Sequence, residues 1–187
     1  GTGHVTKSRN QYVLDFTNPS VVKSVFTKMC AILDEYPIRW IKWDANRPIT
    51  EPYSATIRHQ GELYHRYQLG VYQLAQLLVE RYPDLTIESC SAGGGRAGLG
   101  MFAYASATWL SDQTDAVERI RIQQAASLFL PLRSLGSHVT ACPNHQVLRN
   151  TSLKMRRDVA IFGTFGYELN PLSLALEEAD AVKEDIL

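Results

Sequence analysis

The sequence is short of cysteine, of net charge and of long apolar runs, and each shortage removes a class of function. Its three cysteines, Cys30, Cys90 and Cys142, are scattered and odd in number, so they make no disulfide framework. That usage fits a reducing compartment, and a cytoplasmic location is expected. Basic and acidic residues number 19 each, a formal net charge of zero. A balance of this kind argues against partners held by charge, such as nucleic acid or an anionic membrane surface. No stretch approaches the ~18 apolar residues of a membrane-spanning helix. The opening residues GTGHVTKSRN contain no apolar signal region. Repeats, low-complexity tracts and linkers are absent from all 187 residues, a single-domain length with 45% apolar content to build a core. Cys142 and His145 are two potential ligands at loose spacing, too few for a metal site. Neither metal nor cofactor is expected.

What is present is an alternation of strand-like and helix-like segments. Tyr12 to Asp15 reads as a short strand. Asn18 is placed as an N-cap and Pro19 as the first helical residue. Val21, Val22, Val25, Met29, Ile32 and Leu33 follow at helical spacing. Ile38 to Asp44, rich in β-branched and aromatic residues, reads as a strand, and Glu62 to Tyr82 as a helix. Leu85 to Cys90 is the next strand, ending at Gly93-Gly94-Gly95. A short helix and a strand from Ala107 to Asp112 follow, then a helix from Val117 to Leu130 and a strand from His138 to Ala141. Met155 to Gly163 reads as helix and Gly166 to Leu169 as a last strand.

Strand–helix alternation implies a parallel sheet. Asp15, Asp44, Cys90 and Asp112 each fall at the C-terminal end of a strand-like run. In a (β/α)8 barrel those ends converge on the mouth where active sites are built, and a doubly wound sheet uses the same edge. The pattern leaves both open. At roughly 30 residues per βα unit the chain supplies about six units, so a barrel would be incomplete.

Two carboxylates at such a mouth suit glycosidic cleavage, one attacking the anomeric carbon and the other protonating the leaving oxygen. Lys42, on the same strand face as Asp44, would keep that carboxylate ionised, and Asp115 would raise Asp112 by like charge. The plainer reading of such aspartates is that they cap loops and helices, as Asp115 would. Trp40, Trp43 and Trp109 are core residues or sugar-stacking platforms. A rival function comes from Gly93, Gly95 and Gly98, which formally match the dinucleotide fingerprint G-x-G-x-x-G. Against it, the preceding strand carries Glu88 and Ser89 where a buried parallel strand is apolar. The interval from Gly98 to Trp109 is also short for a crossover helix.

At these residues the chain resembles a known family. Lys42-Trp43-Asp44-Ala45-Asn46-Arg47 resembles the KWDxNR motif of the glycoside hydrolase family 36 α-galactosidases. Glu88 to Arg96 resembles their C-x-x-GGGR loop, and Trp109 to Ala116 resembles W-x-SDxTDA. Gly136-Ser137-His138-Val139 with Pro143-Asn144-His145-Gln146, Arg9-Asn10-Gln11 and Gly163 to Leu169 also match, in order and over nearly the whole chain.

The resemblance implies an α/β fold, a (β/α)8 barrel present in part, from about the third strand to the eighth. Residues 1–187 would be one partial catalytic domain, without the family's N-terminal β-sandwich, first barrel strands and C-terminal β domain. It implies retaining hydrolysis of terminal α-1,6-linked galactose from melibiose- and raffinose-type sugars, by a homo-oligomer when full length. Asp44 would be the nucleophile and Asp112 the acid/base. Arg9, Lys42, Trp43, Asn46, Cys90 and Trp109 would contact the sugar, with Gly93 and Gly94 letting backbone approach the ring. Two positions depart from the family: Gly98 stands where aspartate is frequent, and Ala45 where methionine is usual. The isolated chain is expected to be inactive; a non-catalytic sugar-binding remnant is the other alternative.

Overall fold

The computed structural model describes residues 6–8 and 10–186 and falls into two units, Gly1–Ser106 and Ala107–Leu187. In the first unit, helix α1 (Pro19–Glu35) starts as its chemistry dictates. The Asn18 side chain accepts from Ser20 N at 2.9 Å, and Pro19 fills the first turn, where its missing N–H is not needed. Strand β1 (Trp40–Asp44) follows, then helix α2 (Leu63–Arg81) and strand β2 (Thr86–Cys90). The strands pair in parallel, Trp40 opposite Thr86 and Asp44 opposite Cys90. Val22 of α1, Leu74 and Leu78 of α2 and Leu85 form a buried cluster against which Ile41 and Trp43 pack. A second cluster joins Ala75, Ile87, Met101 and Ala105. A buried side chain of Leu74's size contributes about 2 kcal/mol by leaving water. Because strand side chains alternate, the other face of β1 and β2 carries Trp40, Lys42, Asp44, Glu88 and Cys90. Gly70 lets α2 touch the segment before α1: a Cβ there would sit 1.9 Å from the Phe16 carbonyl oxygen.

The second unit contains strand β3 (Ala107–Trp109), helix α3 (Ala116–Ser127), strand β4 (Leu135–Thr140), helix α4 (Leu153–Ala160), strand β5 (Thr164–Glu168) and helix α5 (Leu176–Ile186). β4 pairs in parallel with β3 on one side and β5 on the other. Leu135 and Val139 are fully buried, yet much of this interior is polar. Gln123 donates to Val159 O at 2.9 Å and accepts from Ser137 at 2.9 Å and Arg119 at 3.2 Å. With five parallel strands alternating with helices, the chain is α/β, part of a (β/α)8 barrel.

Several sequence-based assignments change. β1 starts at Trp40 rather than Ile38, α3 ends at Ser127 rather than Leu130, α4 runs Leu153–Ala160 rather than from Met155 to Gly163, and β5 starts at Thr164 rather than Gly166. Four further changes have a visible cause. Tyr12 to Asp15 is not a strand: Asp15 accepts from Thr17 N and Thr17 Oγ1 at 3.0 and 2.6 Å and from Ser54 at 2.6 Å, which turns the chain toward α1. β3 stops at Trp109 rather than Asp112, because the next backbone donors go to side chains. Gln113 N bonds Ser111 Oγ at 3.1 Å, Thr114 N bonds Gln146 at 2.9 Å and Asp115 N bonds Gln113 at 3.1 Å. β4 begins at Leu135, three residues before His138. Pairing on both sides overrides the weak strand preference of Gly136 and Ser137. Helix α5 went unmarked in the sequence because its only buried residue is Val182.

Candidate active site

In the first unit the polar strand face assembles around Asp44. The carboxylate ends β1, and the parallel register sets it beside Cys90 at the end of β2. Burial first, and then the neighbouring Asp44 carboxylate, push the Cys90 thiol up to about 11, so at neutral pH it stays an uncharged S–H beside that carboxylate. Asn46 donates from Nδ2 to Asp44 Oδ2, while its Oδ1 accepts from Ala92 N. One amide therefore ties the carboxylate to the glycine loop. Ala45 N continues the ladder to Cys90 O at 2.9 Å, and Ser91 Oγ returns to Ala45 O at 2.8 Å. Asp44 is thus held by the strand backbone on one side and by the Asn46 amide on the other, with the Cys90 thiol beside it.

Two residues along the strands lie Lys42 and Glu88. Lys42 Nζ is 3.8 Å from Glu88 Oε1, and Trp40 Nε1 donates to Glu88 Oε2 at 3.2 Å. Glu88 is 3% exposed, so its charge needs these partners. The ammonium expected to serve Asp44 is thus also the counter-charge of a buried glutamate. Sequence reasoning missed Glu88 as a site residue, although a charge inside a parallel strand was the available signal.

The glycine loop turns tightly. Ala92 and Gly93 have φ of 47° and 76°, and Ser91 N bonds Gly93 O at 2.9 Å while Ser91 bridges Gly94. At Gly95 a Cβ would lie 2.7 Å from Ser91 O, whereas at Gly98 it would meet open space. Behind the glycines comes only a three-residue 3-10 turn, Met101–Ala103. The dinucleotide reading fails here, because that motif seats its pyrophosphate on the N-terminus of an α-helix. A cavity of about 410 Å³ opens over the site, lined by Tyr12, Lys42, Trp43, Asp44, Asn46 and Arg96 among others. Arg96 is braced on Arg47 O at 3.1 Å, and buried Arg47 reaches Thr6 O at 2.7 Å. Trp43 both lines this cavity and packs on the helix layer. Arg9 lies outside the described residues.

In the second unit Asp112 sits in the loop after β3 and accepts from Trp109 Nε1 at 3.1 Å. Trp109 is 3% exposed. It stacks on His138, centroids 4.7 Å apart at 27°, and lies 4.8 Å from the Arg119 guanidinium. Burial lowers Arg119 to about 10, which leaves it charged at neutral pH. It donates to Ser111 O at 3.2 Å and to Gly136 O. The loop is pinned further along by Asn144, which donates to Thr114 Oγ1 at 3.0 Å. Asp115, 1% exposed, caps α3 by accepting from Glu118 N at 3.2 Å, and Arg149 pairs with it. Its charge is spent on the cap and on that arginine. Cys142 meets Asn150 at 3.5 Å.

Among the described residues no group of three or more metal-ligating side chains gathers, and no helix is long and apolar enough to cross a membrane.

Comparison with known proteins returns one family throughout. The Melibiase family model matches residues 2–187. The bifunctional α-galactosidase/sucrose kinase AgaSK of Mediterraneibacter gnavus is 46% identical over 180 residues, 96% of this chain and 19% of that protein. The crystal structure of the α-galactosidase from Lactobacillus brevis matches with a TM-score of 0.95 at 45% identity, covering 100% of this chain and 25% of that one. A variant of the family 36 α-galactosidase AgaA from Geobacillus stearothermophilus, solved in complex with raffinose, matches with a TM-score of 0.93 at 41% identity, over 99% of this chain and 26% of that one. The chain therefore spans between about a fifth and a quarter of the length of these relatives.

Proposed function

We propose that this chain, which belongs to the melibiase family, carries the nucleophile and the acid/base of a retaining α-galactosidase. The observation that carries the reading is Asp44. It is a carboxylate at a strand's C-terminal end, fixed by Asn46, set beside Cys90 by the parallel register, and open to a cavity of about 410 Å³. In the first step an Asp44 oxygen forms a bond to the anomeric carbon. The bond from that carbon to the leaving oxygen breaks, its electron pair going to that oxygen, which takes the proton of Asp112. In the second step Asp112, now a carboxylate, removes a proton from water. The water oxygen bonds the anomeric carbon, and the bond to Asp44 breaks. Two inversions give net retention.

Lys42, Asn46, Cys90, Trp43, Trp109 and Arg9 are the proposed sugar contacts, with backbone approach at Gly93 and Gly94. Raffinose- and melibiose-type oligosaccharides are the proposed substrates, a reading supported by the relative solved with raffinose. The proposal extends to a cytoplasmic homo-oligomer whose other parts supply the remaining barrel strands, an N-terminal β-sandwich and a C-terminal β domain.

The test uses the full-length protein and a nitrophenyl α-galactoside. Replacing Asp44 by alanine is expected to cut turnover by roughly 10⁴-fold or more, since no covalent intermediate can form. Added azide should then restore product as the β-galactosyl azide, by a single displacement. Near-normal turnover in Asp44→Ala sinks the assignment.

A further inference from the structure

We infer that Trp109 is a positioning residue for proton transfer: its indole N–H holds Oδ1 of Asp112 and so selects Oδ2 as the oxygen that carries the proton. The inference rests on the reading of Asp112 as the acid/base and goes beyond it by naming the atom and what fixes it. The indole nitrogen is a donor only. Placed 3.1 Å from Oδ1, it occupies that oxygen and offers nothing to Oδ2. A proton on Oδ1 would lie against another hydrogen, so the protonated carboxyl keeps its O–H on Oδ2.

The same contact has a catalytic consequence. When the Oδ2–H bond breaks and the proton moves to the leaving oxygen, Asp112 becomes a carboxylate. The N–H···Oδ1 bond then becomes charge-assisted and roughly doubles in strength. It is stronger in the transition state than in the ground state, the condition for speeding the step. In the second step the already ordered carboxylate takes the proton of water on Oδ2, and the cycle closes.

The donor is fixed rather than free to follow. Trp109 is 3% exposed, stacked on His138, with Arg119 4.8 Å from its ring. His138 Nδ1 is in turn 3.2 Å from Glu168. Arg119 also holds Ser111 O, next to Asp112, so one cation sets both the ring and the loop it serves. Asp112 itself lies in a loop, three residues past the last ladder position, and this N–H is its side chain's one hydrogen bond among those described.

The experiment compares Trp109→Phe with the unaltered full-length enzyme on melibiose and on dinitrophenyl α-galactoside. Melibiose has a poor leaving group and needs the proton; the aryl galactoside does not. Loss of the donor should lower kcat/KM on melibiose by roughly 10- to 100-fold, part of the effect of a general acid. On the aryl substrate the loss should be about 3-fold or less by the same logic. In an Asp112→Asn background Trp109→Phe should add almost nothing, because the group it serves is gone. Equal losses on the two substrates, or additive losses in the double variant, overturn the inference and leave Trp109 with packing and its proposed sugar contact alone. If phenylalanine prevents folding, benzothienylalanine at position 109 keeps the bicyclic ring and replaces only the N–H with sulfur, and must give the same substrate split. An unaltered full-length protein with no turnover of any α-galactoside would instead overturn the functional reading.

Discussion

The two units hold their carboxylates by different means. In Gly1–Ser106 the interior is made of two apolar clusters centred on Leu74, Leu78 and Ile87, and Asp44 is the last residue of a strand backed by them. In Ala107–Leu187 the buried residues include Arg119, Gln123, Ser137, Asn144 and Asp115, bonded to one another and to backbone, and Asp112 rides in a loop that this network shapes. Apolar packing is tolerant in detail and rigid in sum. A polar network fixes directions but fails when one member is lost, since a buried unpaired group costs about 1–3 kcal/mol. A nucleophile must keep its distance to one carbon. A proton donor must keep its orientation toward an oxygen, and a network supplies that.

The largest stability effect is expected where the apolar unit is struck at its centre. Leu74→Ala removes a fully buried side chain from α2, and a loss of about 3 kcal/mol should follow from transfer and cavity terms together. Equilibrium denaturation would measure it. If Asp44 is set by its strand, the molecules that remain folded should retain normal kcat. A kcat that falls in step with stability would show that the strand end follows the core more closely than this comparison holds.

How much of this was legible beforehand divides along the same line. The helices α1, α2 and α3 and the strands β1 and β2 follow from periodicity, caps and β-branched runs, and the ends of β1 and β2 fall at Asp44 and Cys90 as read. Apolar packing writes itself into a sequence as spacing. The second unit was less readable. The end of β3 is decided by which backbone donors meet Ser111, Gln113 and Gln146 side chains, and such pairings span up to 32 residues without a period, while the start of β4 is set by pairing with strands on both sides. The bond from Trp109 to Asp112 has the same character, although both residues were singled out. Asp115 is the instructive case, since its plain role as a helix cap was visible and its arginine partner, Arg149, was not.

A smaller effect on stability, with a larger reach into chemistry, is expected from the network. Asp115→Ala removes the N-cap of α3 and the partner of Arg149, and about 2 kcal/mol should be lost. Because Arg149 is 39% exposed, water can take over its charge, which keeps the figure below that of a fully buried pair. Unlike Leu74→Ala, this change loosens the loop between Asp112 and α3, so kcat on melibiose should fall in the molecules still folded. Asp115→Asn keeps a capping oxygen and should recover about half of the lost stability. An Asp115→Ala enzyme with unchanged kcat would break the contrast between the units.

The smallest effect probes the backbone of the first unit, where the strain is conformational rather than polar. Ala92 has φ 47°, a left-handed conformation that costs an L-residue about 1–2 kcal/mol and glycine almost nothing. Its N–H is used by Asn46 Oδ1, the amide that also grips Asp44, so the turn is held in this conformation from outside. Ala92→Gly should relieve the strain. Against this, glycine has more freedom to lose on folding, about 0.4–1 kcal/mol. The difference leaves a gain of about 0.5 kcal/mol, readable as a small rise in the denaturation midpoint without a change in slope. A loss of similar size would mean that the Ala92 methyl group packs usefully. The loop beside Asp44 would then be held by side-chain contacts as the loop of Asp112 is, and the two carboxylates would be supported by the same means after all.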